Sequence, residues 1–228
     1  MPKALKKNVA SMGVKSGVKK VSRQTAWQMM DLLEKRYPDA ECELNWASDF
    51  QLLIAIILSA QTTDVTVNKV TPALFEKFPT AEKLATASLD EIKEIIRPTG
   101  YFNAKASNIH SCAQAIVDEF GGRVPDNLED LTKLPGVGRK SANALLGVIH
   151  KIPGWTVDTH VQRLSGRLGL TSECDPRKIE IELEKLFPAR DWSKLSITLI
   201  FHGRRTCFAR KPDCPGCPIH HLCPSSLV

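Results

Sequence analysis

The sequence predicts an all-α protein. Apolar residues recur at helical spacing in segment after segment, Gly and Pro punctuate the joints, and no stretch sustains the period-two alternation of a half-buried strand. With 228 residues and 43% hydrophobic content, the chain can bury one substantial core or two modest ones.

Residues 24–37 form the first expected helix, with Trp27, Met30, Leu32 and Leu33 as its core-facing stripe. Ser48 and Gln51 stand at capping-box spacing before F-Q-L-L-I-A-I-I-L, so a deeply buried helix starts there. It passes abruptly into Gln61, Thr62, Thr63 and Asp64, a polar corner from which a helix over 65–78 begins. Helices over 82–87 and 89–96 follow, the second opened by Ser88 and Glu91. Arg97-Pro98-Thr99-Gly100 breaks the pattern; 101–120 resumes it until Gly121 and Gly122 stop it. A short helix over 128–134 leads through Pro135, Gly136 and Gly138 into another over 139–150. Asp158 is positioned to cap a helix reaching Leu170, Pro176 opens one extending toward Phe187, and the last long helix covers 191–207. A division near residue 152 follows from the distinct chemistry of the C-terminal end. Because 24–41 precedes the central block, it is expected to join 153–228 in a discontinuous domain, with 42–152 as the other.

Charge is unevenly placed. Residues 1–23 hold seven Lys or Arg and no acid, leaving 24 basic and 25 acidic residues in the body. This tail reads as disordered and either adds phosphate affinity without sequence preference or is a solvated leader. No apolar run reaches membrane-span length and no secretory leader is evident, so a cytoplasmic protein is expected.

The segment L-P-G-V-G-R-K-S-A, ending at Ala142, organises the chain. Its Pro and Gly residues suit a tight turn, and the free N–H groups opening the next helix would take an anion, a nucleic-acid phosphate being the obvious one. Simple interhelical packing is the other reading. ATP binding is unsupported, because Arg139 stands where a Walker loop needs glycine before its lysine. Lys140, one residue into the helix and expected to be partly withdrawn from water, is a candidate nucleophile. Asp158 lies 18 residues on, far enough for the helix to run out and the chain to return, so the two could flank one cleft or form a surface ion pair.

Cys207, Cys214, Cys217 and Cys223 form C-x6-C-x2-C-x5-C. Four thiolates in so short a span indicate tetrahedral metal or cluster ligation; the spacing leaves zinc and iron–sulfur open. Arg204, Arg205, Arg210 and Lys211 interleave with the start of this pattern and could face phosphate. Cys42, Cys112 and Cys174 have no such constellation and read as buried thiols.

Together, L-P-G-V-G-R-K-S-A, V-D-T-H around Asp158, L-S-A-Q-T-T-D around Gln61, H-G-R-R-T-C from His202 and the cysteine pattern resemble the endonuclease III family of DNA glycosylase/AP lyases, over nearly everything after the tail. The resemblance implies two helical lobes: a six-helix barrel with a helix-hairpin-helix element, and a lobe carrying a [4Fe-4S] cluster on the four cysteines. It implies damaged double-stranded DNA lying across the cleft with a nucleotide extruded, a monomeric enzyme, and nucleoid association in a bacterium. It assigns Lys140 as Schiff-base nucleophile and Asp158 as catalytic carboxylate. Gly136, Gly138 and Arg139 would meet the DNA backbone, and Gln61 and His160 would border the space left by the flipped base. Oxidised pyrimidines are the expected substrates, with β-elimination after base loss. One departure stands out: Tyr101 occupies a position where the family commonly wedges a leucine into DNA, so lesion or opposite-base preference is expected to differ. The alternatives are a monofunctional mismatch adenine glycosylase, against which Lys140 argues, and a noncatalytic iron–sulfur DNA-binding protein.

Overall fold

The structure, a computed structural model, describes residues 18–228. Its helices are α1 (Arg23–Arg36), α2 (Asp49–Leu58), α3 (Asp64–Lys77), α4 (Ala81–Ala85), α5 (Leu89–Ile96), α6 (Phe102–Phe120), α7 (Leu128–Leu131), α8 (Arg139–Ile149), α9 (Thr159–Arg167), α10 (Pro176–Leu186) and α11 (Trp192–Arg205). Single 3-10 turns occupy Arg97–Thr99 and Ala189–Asp191. No strand occurs among the described residues, and none of their helices is long and apolar enough to cross a membrane. The fold is all-α, with two compact units: Cys42–Ile152, and Pro153–Val228 together with the segment ending at Glu41.

The Cys42–Ile152 unit is built on α2. Ser48 caps it by accepting a hydrogen bond from the Gln51 amide, and Gln51 Oε1 accepts from the Ala47 amide at 2.9 Å. Its residues from Leu52 to Leu58 are all buried, and it packs against α3, α6 and α8. Burial of each Leu or Ile side chain there contributes about 1.5–3 kcal/mol. Helices α4 and α5 pack on α6, completing one continuous apolar core. The helix expected over 128–134 ends earlier, at Leu131. Thr132 Oγ1 bonds back to the Leu128 and Glu129 carbonyls, and Pro135 biases the residue before it away from helical angles.

In the other unit α11 packs on α9 and α1, and α10 on α9, around a second core containing Trp155 and Phe187. After α11 the chain has no further helix; turns carry it from Thr206 to the end. The disordered tail expected over 1–23 is corrected in its described part. Val21 N donates to Gly169 O at 3.0 Å, and Lys20 pairs with Glu182 at 2.8 Å, so the chain is held against α10 and the loop before it ahead of α1. Residues 1–17 lie outside the described residues.

Candidate nucleic-acid interface and cysteine site

Side-chain caps close most helices of the Cys42–Ile152 unit: Ser48, Thr63, Thr80, Ser88 and Asn127 each accept a first-turn amide. Two α-helices there begin without one, α6 at Tyr101 and α8 at Gly138. Their opening N–H groups have no capping side chain to meet, and neither helix has an acid in its first turn.

At α8, Gly136 takes φ +78°, and a Cβ there would stand 3.0 Å from Asn108 Cβ, so both backbone angle and close approach to α6 call for glycine. Gly138 has ordinary backbone angles and open space where its Cβ would be. Arg139 and Lys140 follow, both exposed. The expected partial withdrawal of Lys140 from water is therefore not met in the protein alone.

Gln61 and Tyr101 share an unusual feature: both are non-glycine residues with left-handed backbone, φ +53° and +47°. Gln61 is exposed, and Tyr101 is 70% exposed, the highest value among the described large hydrophobic residues. Their turns are tied beneath the surface. Lys105 Nζ, on α6, donates to Thr62 Oγ1 at 2.6 Å and Thr99 O at 2.8 Å, and Thr62 Oγ1 itself bonds to Thr99 O. Nothing in the local sequence around Lys105 marks it as buried.

Asp158 and His160 sit at the start of α9, in the other unit from Lys140. Asp158 Oδ1 accepts from the His160 and Val161 amides, each at 2.8 Å, which makes it the helix cap the sequence suggested. Oδ2 has no hydrogen-bond partner among the described residues and stays available. His160 is half-buried; burial lowers its pKa, opposed by the Asp158 carboxylate and assisted by the Arg163 guanidinium. Gly203 on α11 permits this packing, since a Cβ there would strike His160 Nδ1 at 2.7 Å and Arg163 Nη2 at 3.0 Å.

Of the three cysteines expected to be buried only Cys112 is; Cys42 is half-buried and Cys174 exposed. The four C-terminal cysteines converge. Cys207, Cys214, Cys217 and Cys223 line one cavity of about 700 Å³ with Arg167 and His202. No three His, Cys, Asp or Glu side chains among the described residues close to the spacing of a single-ion site. A lone zinc with thiolates at 2.3 Å would need its sulfurs within about 4 Å of one another. Four half-buried thiols lining one cavity fit the donor set of a four-thiolate metal centre. Surrounding donors support the loop: Arg167 reaches Cys207 Sγ at 3.5 Å and the Phe208 and Ala209 carbonyls at 2.7 and 2.8 Å, and Arg163 bonds Cys207 O at 2.9 Å. His202, buried behind Cys217, shares its Nδ1 with the Tyr37 hydroxyl at 3.1 Å, which also meets Thr206 at 2.7 Å. Tyr37 carried no sign of this role in sequence, being 165 residues from its histidine.

Comparison with known proteins agrees with these features. Residues 54–189 match the HhH-GPD superfamily of base excision DNA repair proteins. The chain is 52% identical to endonuclease III of Synechocystis sp. over 90% of its length and 94% of that protein, and 41% identical to endonuclease III of Bacillus subtilis over 85% and 89%. Among solved structures, a trapped endonuclease III–DNA covalent intermediate superposes with a TM-score of 0.87 at 41% identity, covering 90% of this chain and 97% of that one.

Proposed function

The chain belongs to the endonuclease III family within the HhH-GPD superfamily and is a DNA glycosylase of base excision repair; from that premise we propose a bifunctional enzyme that removes oxidised pyrimidines from duplex DNA and cleaves the resulting abasic strand. The observation that carries this reading is Lys140, an exposed amine at an uncapped helix start inside the turn L-P-G-V-G-R-K. A relative at 41% identity is trapped as a covalent intermediate with DNA, which supports a covalent route.

In this reading the amides opening α8 and the bare face of Gly138 accept the DNA backbone, with Arg139 adding charge. Bound DNA withdraws Lys140 from water, a change the protein alone does not make. Neutral Lys140 Nζ attacks C1′ of the sugar and the base leaves with the glycosidic electron pair. The departing base takes up a proton, the nitrogen loses one, and its lone pair expels O4′, which is protonated as the ring opens to an iminium; this makes the C2′ proton acidic, and its loss expels the 3′ phosphate. Asp158 assists these proton transfers and stabilises the cationic sugar through its free Oδ2, while Oδ1 remains committed to α9. Gln61 and Tyr101 enter the duplex where the damaged nucleotide leaves it, and His160 borders the vacated space.

Residues 42–152 act as the six-helix barrel domain, and 24–41 with 153–228 as the cluster domain. Cys207, Cys214, Cys217 and Cys223 would hold a [4Fe-4S] cluster, which shapes the 206–228 loop and takes no part in bond breaking. The enzyme works as a monomer on damaged double-stranded DNA in the cytoplasm, associated with the nucleoid. Incubation with a duplex carrying one thymine glycol tests the reading: free damaged base together with a nicked strand is expected, and release of base without nicking would replace the bifunctional assignment with a monofunctional one.

A further inference from the structure

Lys105 is only 5% exposed, yet no carboxylate pairs with it among the described residues, and burial pushes its ammonium below the ordinary lysine range. A buried lysine without a counterion is costly unless its hydrogen bonds have a purpose. Here they join two separate turns. The side chain spans Thr62 Oγ1 and Thr99 O, and the Lys105 amide donates to Tyr101 O at 3.1 Å. Two acceptors need only two N–H groups, so the link holds for the ammonium and for the neutral amine alike.

Each turn displays its residue at an adjacent position. Gln61 directly precedes Thr62, and Tyr101 lies two beyond Thr99, across Gly100 with φ +66°. Left-handed backbone at a non-glycine residue persists only where its surroundings hold it. Each turn has its own bonds, Thr62 N to Ser59 O and Gly100 N to Arg97 O, and the Lys105–Thr62–Thr99 triangle links the two.

We propose that Lys105 is a positioning residue which ties the Gln61 turn to the Tyr101 turn, so that both residues meet DNA as one rigid pair. This rests on the reading above that the pair enters the duplex. Lys105 itself touches no DNA; it fixes the separation and direction of the two groups that do.

Full-length, cluster-loaded Lys105→Met, Tyr101→Ala and the double variant test it. By hydrogen exchange without DNA, Lys105→Met should exchange faster than the native protein in both the 59–64 and 97–102 segments. Single-turnover base release from a thymine glycol duplex should fall about ten-fold in Lys105→Met, as expected for misplaced contacts. The double variant should lose less than the product of the two single losses, its loss beyond Tyr101→Ala reporting the misplaced Gln61. Unchanged exchange, faster exchange in one segment only, or multiplying losses in the double variant would each overturn the proposal. If Lys105→Met does not fold, Thr62→Val removes one arm of the triangle and should show the same paired exchange with a smaller rate loss. A native protein that releases no base would remove the functional reading, while exchange would still decide whether Lys105 couples the turns.

Discussion

The two units achieve order by different means. In Cys42–Ile152, a central helix that is apolar and buried from Leu52 to Leu58 and its packed neighbours create the core, and the candidate DNA-facing groups are added at turns and uncapped helix starts. The other unit has a helical core as well, but from Thr206 onward it has neither helix nor much apolar burial. Arginine bonds to carbonyls and turn hydrogen bonds, such as Asp213 N to Thr206 O at 3.0 Å, hold that stretch around the cavity the four cysteines line. Apolar burial is spread over many residues, whereas the proposed cluster would rest on four thiols, each of them needed.

The comparison breaks most visibly at a cysteine. Cys217→Ala should lose all cluster iron and expose 206–228 to protease while Cys42–Ile152 stays folded. Iron analysis with limited proteolysis checks this, and cuts in both units would contradict it. Cys112 offers an internal control: burial pushes its thiol up to about 12, so it stays protonated at pH 8 and resists iodoacetamide until its unit opens. Its alkylation should remain slow in Cys217→Ala.

The converse perturbation is Leu53→Ala, which leaves a cavity in the α2 core. A loss of about 2–5 kcal/mol by denaturant unfolding is expected, with iron content per folded molecule unchanged. Asp158 sharpens the contrast within a single residue. Asp158→Ala should lose about 1 kcal/mol with the cap, whereas Asp158→Asn keeps a capping oxygen and should lose little stability. Both should slow base release on a pre-bound substrate; an asparagine variant with the native single-turnover rate would confine Asp158 to capping. The smallest effect is expected from Tyr101→Leu, a few-fold change in preference among opposing bases over a matched duplex panel, with folding and iron content unaffected.

Much of this architecture is legible locally. Ser48 with Gln51, Ser88 with Glu91, Asp158 before α9 and Pro176 at the start of α10 mark helix starts through contacts three or four residues long. The Gly136 turn is equally local. What local pattern does not carry is burial decided by distant partners. Lys105 looks like a surface lysine until Thr62, 43 residues away, covers it. Lys20 belongs to a charge run until Glu182 meets it. Lys140 differs in the other direction: its helix start suggests withdrawal from water, yet it is exposed in its own unit. Gly138 and Tyr101 are informative for the same reason, since a missing cap becomes visible only once the helix boundaries are known.

The central claim is that Lys140 carries the chemistry, and borohydride trapping on a duplex containing one thymine glycol tests it most directly. The native protein should yield a covalent adduct that maps to the Lys140 peptide, and Lys140→Ala should yield none. An adduct of undiminished yield from Lys140→Ala would contradict the account.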